Sequence, residues 1–151
     1  MPIIRVAELH EISAIRLFYS RCDYGGGIEA GDQLFVAQAN GEIVGAVRLC
    51  PGNDFIVLRG MQVLSTFQGR GIGTELLQTC AQKLADHVCY CLPWRHLHSF
   101  YNQAGFYTLS PAEAPDLMRE RFDAYTDKGL NVLLMCRCPS FDGETGHSYT
   151  L

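Results

Sequence analysis

Gln68-Gly69-Arg70-Gly71-Ile72-Gly73 sets three glycines at alternate positions, directly ahead of Thr74 and a stretch of helical periodicity that runs to His87. The apolar run before it, Phe55 to Leu64, reads as a strand. A strand feeding a glycine loop at a helix N-terminus suits an anionic ligand such as a phosphate. First-turn amides lack partners within the helix, the helix dipole favours negative charge, and glycine lets the backbone approach closely. Two familiar phosphate loops do not fit. A P-loop requires Gly-Lys followed by Ser or Thr, which is missing, and a dinucleotide fingerprint requires G-x-G-x-x-G after the first strand of a βαβ unit.

The elements that must position this loop are legible in order. Ile3 to Val6 reads as a short strand, and Leu9, Ile12, Ile15 and Tyr19 recur at helical spacing between Glu8 and Cys22. Asp23 to Asp32, with Gly25, Gly26, Gly27 and Gly31, is a loop. Leu34 to Ala39 and Glu42 to Leu49 are strands joined by the hairpin signal Asn40-Gly41. Pro51 to Asp54 turns the chain into the strand ending at Leu64, giving three consecutive antiparallel strands before the loop. After the loop, Leu76, Leu77, Cys80, Ala81 and Leu84 form one helical face. Val88 to Leu92 is a strand, His96 to Gln103 a helix capped by Gly105, and Phe106 to Leu109 a strand. Asp116 to Asp127 is an additional helix, and Leu130 to Cys138 the last strand. The fold class is α/β (α+β): a mixed, mostly antiparallel sheet flanked by helices.

At 151 residues the chain is expected to form one domain over 1–138, followed by a loosely held polar tail over 139–151. A net charge of -4 and the lack of a lysine-arginine stripe argue against nucleic acid. No apolar run reaches membrane-span length, and Met1 to Arg5 lacks a signal-peptide pattern, so the expectation is a cytoplasmic protein with no membrane partner. Seven cysteines, an odd count mostly inside apolar runs, read as reduced thiols packed as small hydrophobes.

The segment from Gln68 to Gly73 resembles the Q/R-x-x-G-x-G/A motif of the GNAT superfamily of N-acetyltransferases, whose loop amides cradle the pyrophosphate of acetyl-CoA. Phe100-Tyr101-Asn102-Gln103-Ala104-Gly105-Phe106 is similar to that family's F-Y-x-x-x-G-F segment, and Val132 to Met135 to its closing strand. The resemblance spans roughly residues 3 to 138 and implies the GNAT acyl-CoA N-acyltransferase fold, with acetyl-CoA as co-substrate and no metal. It further implies that the backbone of Met61 and Val63 pairs with the pantetheine arm. The amides of Gln68, Gly69, Arg70, Gly71, Ile72 and Gly73, with Thr74, would hold the pyrophosphate, and Arg70 would add charge. Tyr101 falls on the family's tyrosine near the CoA sulfur. A phenol arrives protonated at neutral pH and can donate to a departing thiolate. The competing reading of Tyr101 is packing against Phe100 and Phe106.

Arg48 and Arg59 lie inside strand-like apolar runs, where an unpaired charge is expensive. One reading has them grip an acidic or carboxylate-bearing acceptor; the other has an edge position or a pairing with Asp54 or Glu42. No acid occupies the strand from Phe55 to Leu64, so the general base is open among Glu29, Asp32, His96, His98 or a water chain. Trp94-Arg95-His96 stands where many relatives carry a pantetheine-contacting asparagine. Cys89-x-Cys91 and Cys136-x-Cys138 lie on strands expected to be neighbours. C-x-C spacing holds its two sulfurs too far apart for easy chelation, so packing is favoured over a metal. The segment 112–129 would lid the acceptor site or form a homodimer surface. The expected function is acetyl transfer to a primary amine of a small molecule or peptide by direct attack. The alternatives are a non-catalytic acyl-CoA-binding regulatory module of the same fold and a binder of another phosphate ligand.

Overall fold

The computed structural model describes residues 2–138, so the expected tail over 139–151 lies outside the described residues. Seven strands, β1 (Ile3–Val6), β2 (Gln33–Ala39), β3 (Glu42–Pro51), β4 (Ile56–Val63), β5 (Cys89–Cys91), β6 (Tyr107–Thr108) and β7 (Met135–Arg137), form one mixed sheet. Its order is β1-β2-β3-β4-β5-β7-β6, with β4 parallel to β5 and the β1/β2, β2/β3, β5/β7 and β6/β7 pairs antiparallel. The four α-helices are α1 (Ile12–Arg21), α2 (Ile72–Leu84), α3 (His98–Asn102) and α4 (Asp116–Asp127). The described residues divide into two compact units, one of 2–52 with 58–83 and the other of 53–57 with 84–138.

In the first unit, Asn40 and Gly41 both take positive φ (54° and 79°), the backbone that a two-residue hairpin requires, and this sets the β2/β3 register. Leu34, Phe35, Val36 and Ala37 are all buried, because both faces of β2 are covered. Leu34, Val36 and Ala46 pack with Ile15, Phe18 and Tyr19 of α1. On the opposite face α2 approaches so closely that a Cβ at Gly45 would lie 3.1 Å from Leu76 and 3.3 Å from Ile72. Leu9, expected on the apolar face of the first helix, is 85% exposed, since it belongs to a separate 3-10 turn (Leu9–Glu11) whose tighter winding turns it away. Helix α2 starts at Ile72 and stops at Leu84, short of the expected His87, where Ala85 takes φ 43°.

Strand β4 departs from a regular strand at Gly60, whose φ is 67°. Its carbonyl accepts a 2.8 Å hydrogen bond from the Tyr19 hydroxyl, and a Cβ there would lie 2.7 Å from that oxygen. This left-handed residue lies just ahead of Met61 and Val63 in the strand.

In the second unit, β5 lies between the start of β4 and β7, with Phe55 edge-on to Tyr90 at 5.1 Å between ring centroids. The last strand is shorter than its apolar run predicts; Val132 makes only an isolated bridge to Trp94. Helix α4 has the expected bounds; of its residues only Met118 is buried, and Leu117 is 45% exposed.

Gly60→Ala is expected to destabilise the protein by about 2–4 kcal/mol through overpacking and a strained φ, read as a fall in the denaturation midpoint. At β1, Arg5 holds both carboxylate oxygens of Glu11 at 2.7 Å, which lowers the Glu11 pKa from 4.5 to about 2. A depressed carboxylate pKa contributes stability above the unfolded value and loses it as pH falls through the folded one. Glu11→Gln should therefore remove a contribution on the order of 1 kcal/mol at neutral pH, and that loss should vanish near pH 2 in urea titrations.

Candidate active site

The glycine loop follows β4 through a 3-10 turn, Ser65–Phe67. Gly69 and Gly71 take φ of 78° and 83°, and a Cβ at either would meet nothing within 4 Å. Backbone direction, not crowding, is what requires glycine at both positions. The Gln68 side chain donates to the Val63 carbonyl at 3.0 Å and ties the loop to the end of its strand. The Arg70 guanidinium stacks over the Phe67 ring at 5.0 Å and remains exposed. The carbonyl of Gly71 accepts from the Glu75 amide, so the helix proper begins here and the amides of Ile72, Gly73 and Thr74 belong to its unpartnered first turn. The Ile72 side chain is buried against Gly45. Met61 and Val63 are half-buried.

Tyr101, in the second unit, is 5% exposed on α3. Its ring meets Phe100 edge-on at 5.0 Å and Phe106 at 5.9 Å. Gly105 turns the chain with φ 93°, the Asn102 side chain donates to the Phe106 carbonyl at 3.0 Å, and Arg137 donates to the Ala104 carbonyl at 2.9 Å. The aromatic packing foreseen as an alternative for Tyr101 is thus present, and it fixes the ring while leaving the role of the hydroxyl a separate matter. Arg95 donates to the Asn131 side chain at 2.9 Å, and Trp94 bridges Val132, so the segment occupying the place of the relatives' asparagine is pinned by 131–132.

Arg48 is fully buried, and its charge is met by Asp32 at 2.9 Å, not by Asp54 or Glu42. Arg59 differs. It is half-buried, and among the described residues its guanidinium has no hydrogen-bond or ion-pair partner. Of the candidate bases, Asp32 is held by Arg48 and by the Glu29 amide, while Glu29 and His96 are exposed and His98 is half-buried. Sequence reasoning missed Gly60 and the Asp32 pairing; the signals were a lone glycine inside an apolar strand and an acid at the end of a glycine-rich loop.

All seven cysteines are free thiols. The β5/β7 register pairs Tyr90 with Cys136, and directly paired residues share a face, so Cys89 and Cys91 point to the face opposite Cys136. The four thiols therefore do not converge. Cys136 and Cys138 lie closer than strand spacing predicts, with sulfurs 3.5 Å apart, because Cys138 has left β7. Among the described residues no three His, Cys, Asp or Glu side chains are grouped to hold a metal ion, and no helix is long and apolar enough to cross a membrane.

The pattern of the acetyltransferase (GNAT) domain matches residues 30–108 of the chain. A comparison with curated proteins found no match. Among solved structures, the chain is similar to N-acetylglutamate synthase from Neisseria gonorrhoeae complexed with coenzyme A and N-acetyl-glutamate (TM-score 0.70, 18% identity). That match covers 93% of this chain and 36% of the synthase, so the chain spans about a third of its length. The ribosomal-protein-S18-alanine N-acetyltransferase from Escherichia coli matches at TM-score 0.69 and 15% identity, covering 98% of this chain and 100% of that one. An acyl-CoA N-acyltransferase from Pseudomonas aeruginosa matches at TM-score 0.67 and 17% identity, with 91% and 100% covered. With the fold shared across these structures and the family pattern lying over the glycine loop and Tyr101, the chain belongs to the GNAT family of N-acetyltransferases.

Proposed function

We propose that the chain uses acetyl-CoA to acetylate a primary amine of a small molecule or peptide by direct attack. The observation that carries this reading is the loop from Gln68 to Gly73, where two left-handed glycines present backbone amides ahead of α2 in a member of this family. The amides from Gln68 to Thr74 hold the pyrophosphate and Arg70 adds charge, while the backbone of Met61 and Val63 pairs with the pantetheine arm. The amine nitrogen attacks the thioester carbonyl, the C–S bond breaks on collapse, and the nitrogen sheds a proton to solvent or a base. Tyr101 gives its proton to the leaving thiolate.

Arg59 is the acceptor-binding residue in this proposal. A half-buried guanidinium without a partner among the described residues is suited to a carboxylate, which supports an amine acceptor that also carries an acidic group. The gonococcal relative's N-acetyl-glutamate is a product of that description. Arg48 is left out of the acceptor set, because Asp32 has already taken its charge.

CoA release across a panel of amines tests the reading, with amino acids and acidic peptides expected to lead and polyamines to lag. Binding of acetyl-CoA with turnover on no amine would favour the non-catalytic acyl-CoA-binding module. Tyr101→Phe should lower kcat by about 10²-fold with the acetyl-CoA KM unchanged; an unaltered kcat removes the acid role. Arg59→Ala should raise the KM of an acidic acceptor on the order of tenfold and leave that of acetyl-CoA alone.

A further inference from the structure

The Arg48 guanidinium reaches three points of the glycine-rich segment between α1 and β2. Nη1 donates to the Gly27 carbonyl at 2.5 Å and to Asp32 Oδ2 at 2.9 Å, and Nη2 donates to the Tyr24 hydroxyl at 2.7 Å. The same Asp32 oxygen accepts from the Glu29 amide at 2.9 Å. Side-chain exposure is 1% for Arg48 and 4% for Asp32, so the pair is out of water. The segment has no regular structure of its own, and Gly25, Gly26 and Gly27 make it costly to order. Apolar residues would close such a connection as well as a buried ion pair does; what the pair adds is a single geometry.

The network continues into β4. Tyr24 packs on Tyr19 at 4.7 Å, and Tyr19 holds the Gly60 carbonyl. Arg48 Nε has no partner among the described residues and lies beside Gly60, at 3.2 Å from where a Cβ would stand. On either side of Gly60 are Arg59 and Met61.

We propose that Arg48 is a positioning residue for the acceptor: through Asp32, Gly27 and Tyr24 it locks residues 24–32 against Gly60, and this sets the orientation of Arg59, the residue that precedes Gly60 in β4. The inference rests on the acetyl-transfer reading above. It deepens that reading by dividing the two strand arginines into one that binds the acceptor and one that holds the first in place.

The test compares Arg48→Lys, Asp32→Asn and the milder Tyr24→Phe with the unaltered chain, by amide hydrogen exchange and by steady-state kinetics on the best acidic acceptor of the panel. Amides of 24–32 are expected to exchange at least about tenfold faster in Arg48→Lys and Asp32→Asn, with an intermediate change in Tyr24→Phe, while α2 keeps its protection. The acceptor KM is expected to rise by about tenfold or more, with the acetyl-CoA KM within about twofold. Arg48→Lys, which keeps the charge and loses the guanidinium fork, should also weaken discrimination between an acidic acceptor and its amide analogue, which a merely structural role would not do. Unchanged exchange over 24–32, or equal rises in both KM values, would overturn the proposal; so would loosened exchange with an unmoved acceptor KM. If the unaltered chain turns over no amine, the transfer reading fails along with the acceptor role, while the exchange data still decide whether Arg48 locks the segment.

Discussion

A guanidinium sealed from water has to be neutralised where it lies, and much of the first unit is arranged to meet that demand at Arg48. The β2/β3 register pairs Arg48 with Leu34 and so directs it to the face covered by α1. No acid of β2, β3 or α1 answers the charge; Asp32 does, brought in by the loop that precedes β2. The loop is therefore part of the core's electrostatics and not only a connection. Tyr24 and Tyr19 carry the same constraint across to Gly60 and the strand that leads to the glycine loop.

The glycine loop obeys a different constraint, one of backbone direction. Gly69 and Gly71 stand in open space, so their lack of a side chain serves the positive φ that turns the chain into α2 with its first amides free. Gln68 closes the turn onto Val63, and the close contact of Ile72 with Gly45 seats the start of the helix on the sheet. The side chains of Gln68 and Ile72 thus hold the loop at both ends.

The two readings of Tyr101 do not exclude one another. Phe100, Phe106 and the Gly105 turn fix its ring, and a fixed ring is also what a proton donor at a reacting sulfur requires. Packing of the ring and the proposed proton transfer are therefore compatible.

Local patterns in the chain determined the element order, the Asn40-Gly41 hairpin, the bounds of α4 and the position of the glycine loop, because each depends on residues a few places apart. The family followed from the loop and the aromatic segment together, since their spacing is carried by the chain itself. What tertiary structure decided were pairings across sequence distance. Arg48 and Arg59 look alike as charges in apolar runs, and only the fold gives one a partner from the α1–β2 loop and leaves the other without one. Gly60 reads as a weak point in a strand until Tyr19 and Arg48 are seen against it. The cysteine pairs invite a cluster until strand parity sends Cys89 and Cys91 to the opposite face from Cys136. Periodicity reports which face of an element is apolar; it carries no information on which charge elsewhere in the chain will meet a buried one, because that contact exists only once the sheet is assembled.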